Sequence, residues 1–85
     1  MLSILFFGQL RERLKTDKLS LDITKLNAQP TVLALREYLG QSGGLWQELL
    51  NSGQCLVAVN QTMANDQTVL SGDDEVALFP PVTGG

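Results

Sequence analysis

The 85 residues include six basic and nine acidic side chains, giving a net charge of −3, and 44% of them are hydrophobic. This length bounds the chain to one domain with a single core, too small to enclose a deep active site. The negative balance works against the counterion release that drives nucleic-acid binding. Histidine is absent and Cys55 is the only cysteine, which excludes an internal disulfide and leaves no recognisable zinc constellation or Cys-His pair. A single thiol also fits a reducing compartment. The longest apolar run, Ile4 to Phe7, is far shorter than the ~20 residues of a membrane helix. Met1 to Phe7 lacks the basic start and small-residue cleavage site of a secretory signal. The expected location is the cytoplasm, with neither membrane nor nucleic acid as a partner.

Leu2-Ser3-Ile4-Leu5-Phe6-Phe7 reads as a first strand, apolar on both faces except at Ser3, which suggests a central position covered on both sides. Gly8 ends it. Gln9 to Lys15 suits a short helical turn. Leu19, Leu21 and Ile23 then alternate with polar residues as in a half-buried second strand. The pattern breaks at Asn27-Ala28-Gln29-Pro30. Thr31 is a candidate helix N-cap, followed by Val32, Leu35 and Leu39 at helical spacing, with Arg36 and Glu37 expected on the wet side. Gly40 and Gly43-Gly44 should stop that helix. Leu45 to Asn51, with Trp46, suits a further short helix. Cys55 to Val59 is the clearest strand, Thr68 to Leu70 a short one among turn residues, and Glu75 to Phe79 the last. No internal repeat or composition break marks a second domain. The expected architecture is α+β, a mixed sheet with one face covered by a main helix.

After Phe79 the chain changes character. Pro80 and Pro81 fix φ and offer no donors to continue a sheet, so the chain must leave the fold. The six residues from Pro80 to Gly85 (Pro80, Pro81, Val82, Thr83, Gly84, Gly85) reach at most ~20 Å. Gly84 and Gly85 carry no side chains, so a carboxylate at Gly85 is sterically open and a narrow partner channel can admit it. Conversion to an acyl phosphate or adenylate supplies the leaving group that a carboxylate lacks. Displacement by sulfur then leaves a thiocarboxylate tethered at high effective concentration. The bland alternative is a frayed end.

The segment Asp74 to Gly85 resembles the C-terminus of molybdopterin synthase small subunits. Leu5-Phe6-Phe7-Gly8-Gln9-Leu10-Arg11-Glu12, Val59-Asn60-Gln61-Thr62 and the Pro30-Thr31-Val32 helix entry resemble that family as well. The resemblance implies a ubiquitin-like β-grasp fold: a domain over residues 1–79 with short extra helices, and a protruding, flexible Gly-Gly tail over 80–85. It implies adenylation of Gly85 by an ATP-using activating enzyme and sulfur transfer onto that glycine involving a sulfurtransferase. The tail then inserts into a catalytic large subunit, in a heterotetramer of two small and two large subunits, for delivery of the dithiolene sulfurs of molybdopterin. No cofactor or metal is implied on the small subunit, whose ATP is consumed by the activating enzyme, and no catalysis by it alone. The connection from Lys15 to Gln29 is longer and more polar than in some relatives. Sulfur carriers of thiamine synthesis or tRNA thiolation, a ubiquitin-like modifier joined through Gly85 to lysines, and a passive interaction module are the alternatives.

Other candidates carry two readings each. Cys55 relays sulfur or is a small buried thiol. Phe79, just before the prolines, anchors the tail on a partner or belongs to the core. Phe7 is core or interface, while Phe6 and Trp46 suit the core. Met63 offers a soft apolar contact or has no role, and Arg11 and Glu12 are a solvated face or a partner salt bridge.

Overall fold

The computed structural model describes residues 1–26, 29–51 and 53–81. In chain order the elements are β1 (Leu2–Phe6), α1 (Gly8–Leu14), β2 (Lys18–Leu21), a 3₁₀ turn (Ile23–Lys25), α2 (Val32–Gly40), α3 (Gly44–Leu50), β3 (Leu56–Val59), β4 (Thr62–Met63) and β5 (Glu75–Phe79). The strands form one mixed sheet in the order β2-β1-β5-β3-β4. β1 runs parallel to β5 and the other pairs are antiparallel. This is the α+β arrangement that the sequence implies.

The period of two decides which side of the sheet is covered. Leu2, Ile4 and Phe6 of β1, Val57 of β3, and Val76 and Leu78 of β5 are buried, and they share a core with Val32, Leu35 and Leu39 of α2 and Leu49 and Leu50 of α3. Phe6 meets the half-buried Trp46 edge-on, with ring centroids 5.6 Å apart. β1 is an interior strand, flanked by β2 and β5, but it is not covered on both sides. Leu5 stays half-exposed because the core helices pack on the face of Leu2, Ile4 and Phe6.

Thr31 caps α2 as expected, its Oγ1 accepting from the Ala34 N–H at 3.2 Å. α2 ends at Gly40, as expected, while Gly44 opens α3. A Cβ on Gly40 would lie 3.3 Å from the Gln47 Cα, so the missing side chain lets α2 and α3 pack closely.

Arg36 is the clearest departure from expectation. It is buried, not on the wet side. Its Nε donates to Asp66 Oδ1 at 2.8 Å, and its Nη1 donates to the Leu50 carbonyl at 2.8 Å, the Asn51 carbonyl at 3.2 Å and Cys55 Sγ at 3.5 Å. One guanidinium thus fastens α2 to the end of α3, the start of β3 and the loop at Asp66. Carbonyls freed at the end of a helix need such donors, and a forked guanidinium reaches several at once.

Two strand assignments also change. Thr68 to Leu70 forms an isolated bridge, Thr31 to Val69, and not a sheet strand. The second short strand is instead Thr62–Met63, joined to β3 by the two-residue turn Asn60-Gln61 with φ of 50° and 69°. Positive φ at both central positions matches the right-handed twist of the hairpin, and asparagine tolerates it. Asn60 Oδ1 accepts from the Glu75 N–H at 3.0 Å, and Asn60 Nδ2 donates to Asp74 Oδ1 at 2.9 Å, tying this turn to the start of β5. The connection from Lys15 to Gln29 holds β2 and the 3₁₀ turn, which Asp22 caps by accepting from the Thr24 N–H at 3.0 Å.

Candidate functional site

Strand register places five residues in one row across the uncovered face: Met63, Ala58, Ala77, Leu5 and Lys18. The next row toward the tail pairs Leu56 with Phe79. Phe7 follows β1 in extended conformation and its N–H donates to the Leu78 carbonyl at 3.0 Å, so it lies beside Phe79 on the side of Leu5. Phe7 is 45% exposed and Met63 61%. Leu5, Leu56, Ala58, Ala77 and Phe79 are half-buried. The result is a largely apolar surface whose tailward edge carries two phenylalanines, and β5 runs from it directly into Pro80. Contiguous exposed apolar surface of this kind marks protein interfaces.

The expected interface residues therefore divide. Phe79, Phe7 and Met63 share one surface. Arg11 is exposed on α1, and among the described residues its side chain has no hydrogen bond or ion pair. Leu5, Leu56, Ala58 and Ala77 belong to the surface without having been singled out from the sequence. Their signal was the apolar outward position in strands whose inward positions already fill the core. Of the tail, Pro80 and Pro81 are described; Val82, Thr83, Gly84 and Gly85 lie outside the described residues.

The root of the tail is fixed by α1. Gly8 has φ of +59°, and a Cβ built on it would stand 3.3 Å from Cδ and Cγ of Pro80. The left-handed backbone and the close approach both suit glycine. Beside this contact lies a cleft of about 530 Å³ lined by Gln9, Leu10, Arg13, Leu49 and Gln54 together with Gly8, Pro80 and Pro81.

Cys55 is fully buried on the core side. Burial pushes its thiol up from the ordinary range, while the neighbouring Arg36 pulls it back in part. A protonated, enclosed thiol is a poor nucleophile, and the core reading of Cys55 is the one its position fits. Among the described residues, no group of three or more Cys, Asp or Glu side chains could hold a metal ion. Nor is any helix long and apolar enough to cross a membrane.

A mixed five-stranded sheet with β1 and β5 parallel and the helices packed on one face is the ubiquitin-like β-grasp arrangement. Solved structures agree: small archaeal modifier protein 1 of Haloferax volcanii superposes with a TM-score of 0.75 at 22% identity, over 95% of this chain and 97% of that one. A complex of subunits 1 and 2 of molybdopterin-converting factor from Helicobacter pylori contains a chain that matches with a TM-score of 0.65 at 28% identity, over 99% and 97%. Residues 4–85 match the ThiS family, and the chain belongs to it. It is 42% identical to the molybdopterin synthase sulfur carrier subunit of Haemophilus influenzae and 44% identical to that of Escherichia coli, in each case over the whole of both chains.

Proposed function

We propose that this chain is the sulfur carrier subunit of a molybdopterin synthase, with the carboxylate of Gly85 as its working group. The observation that carries the reading is the apolar sheet face that runs without a break into the root of the tail. A partner seated on Leu5, Phe7, Met63 and Phe79 receives the tail at its own surface. Full-length similarity to two sulfur carrier subunits supports the assignment of the pathway, and the matched chain in a two-subunit complex supports a large subunit as the partner.

The chemistry is that of an activated acyl group. The Gly85 carboxylate attacks the α-phosphorus of ATP on an activating enzyme, pyrophosphate departs, and a glycyl adenylate forms. The persulfide of a sulfurtransferase then displaces AMP to give an acyl disulfide, and a second thiol attacks the sulfurtransferase sulfur, releasing the thiocarboxylate and leaving a disulfide behind. In the synthase that sulfur displaces an oxygen substituent of the pterin precursor, and water then cleaves the resulting thioester, leaving the sulfur on the pterin and restoring the Gly85 carboxylate, with catalytic groups supplied by the large subunit. The carrier contributes position: a reacting atom must sit within ~3–3.5 Å of its target, and a docked sheet with a tail of fixed length sets that distance.

Removing Gly85, or adding one residue after it, shifts the terminal carbonyl by roughly 3.3–3.6 Å. Either change should abolish adenylation and synthase turnover while leaving thermal unfolding unaltered. Normal turnover by the extended chain, with no processing back to Gly85, would overturn the reading.

A further inference from the structure

A partner channel that takes in Val82 to Gly85 must open at Pro81, and its rim must then lie over the cleft beside Pro80 and Pro81. Gly8 lines that cleft, and Phe7, the residue before it, lies on the apolar sheet face. Its walls offer the side-chain amides of Gln9 and Gln54, the apolar Leu10 and Leu49, and a single charged group, Arg13. Arg13 is exposed, and among the described residues its side chain has neither a hydrogen bond nor an ion pair. Although the chain as a whole is acidic, residues 11–18 carry four cations, Arg11, Arg13, Lys15 and Lys18, against Glu12 and Asp17, so Arg13 belongs to a locally basic segment.

We propose that Arg13 is a specificity-determining residue that pairs with a carboxylate on the rim of the large subunit's tail channel. This rests on the reading that the tail enters such a channel. The pair orients the partner during encounter, so that the mouth is centred on Pro81 before the tail threads. Charges at an interface rim act mainly on association rate and its salt dependence, and less on dissociation. Lysine at this position keeps the charge and preserves most of the effect, whereas neutral or acidic side chains lose it.

The test is stopped-flow association of the whole chain with its own large subunit at low and high salt, for the parent chain and for Arg13→Glu, Arg13→Gln, Arg13→Lys and Met63→Asp. Arg13→Glu and Arg13→Gln should slow association roughly 3- to 10-fold at low salt, flatten its salt dependence and leave dissociation nearly unchanged. Arg13→Lys should stay close to the parent. If Arg13→Glu and Arg13→Gln associate like the parent at every salt concentration while Met63→Asp loses binding, the docking face stands and the role of Arg13 is overturned. The role is also overturned if Arg13→Lys is as slow as Arg13→Gln. If Met63→Asp also binds normally, the docking face itself is wrong and this pairing falls with it.

Discussion

Replacing Arg36 with alanine should destabilise the domain more than any surface substitution, through a contact network that has nothing to do with the tail. The variant loses the 2.8 Å bond to Asp66 and the donors to the Leu50 and Asn51 carbonyls. Removing one side of a buried ion pair costs 3–5 kcal/mol in typical cases. The Asp66 side chain keeps 23% of its surface exposed, so water takes over part of its charge and the cost falls at the lower end, about 3 kcal/mol. For a domain of this size that lowers the melting temperature by roughly 12–24 °C. Thermal unfolding followed by circular dichroism measures it, with Arg36→Lys as the companion. Lysine keeps the charge but lacks the fork, and should recover only part of the loss. A loss below about 1 kcal/mol for Arg36→Ala, the value of an exposed pair, would refute the view that this node holds the helices to the sheet.

Thr31→Ala removes the N-cap of α2 and should lower stability by about 1 kcal/mol, measured by urea unfolding, with Thr31→Ser close to the parent. The raised thiol of Cys55 means that the folded state holds this proton more tightly than the unfolded chain. Its contribution is therefore complete below the unfolded thiol's pKa of ~8.5 and declines as pH rises past that value. Unfolding free energies between neutral and alkaline pH should show a decline that Cys55→Ala reduces, and alkylation of the native thiol should be far slower than that of the unfolded one. Met63→Asp should change stability by no more than about 0.5 kcal/mol yet abolish measurable binding to the large subunit in calorimetry.

The elements were legible wherever local periodicity and burial coincide. β5 lies where its alternation and the following prolines place it, and Thr31 caps the helix its hydroxyl announces. Arg36 was not legible, because a charged residue after Leu35 looks solvated until the long-range partner Asp66 and the end of α3 are known. The exchange of Thr68–Leu70 for Thr62–Met63 has a similar origin. In the stretch Thr68 to Leu70 the Leu70 N–H donates to the Pro30 carbonyl and the Thr68 carbonyl accepts from the Val32 N–H at the start of α2, while the turn at Asn60-Gln61 needed its positive φ values to be recognised as a hairpin. The apolar sheet face was half legible. Phe7, Met63 and Phe79 stand out by type, but Leu5, Leu56, Ala58 and Ala77 acquire meaning only once the helices are seen to cover the opposite side.

The most direct test of the carrier reading is the intact mass of the chain after incubation with its activating enzyme, ATP and a sulfur donor. One oxygen should be replaced by sulfur, located at Gly85 by fragmentation, and the product should be lost on incubation with the large subunit and the pterin precursor. An unchanged mass, or Gly85 found instead in an amide bond to a lysine of another protein, would contradict it.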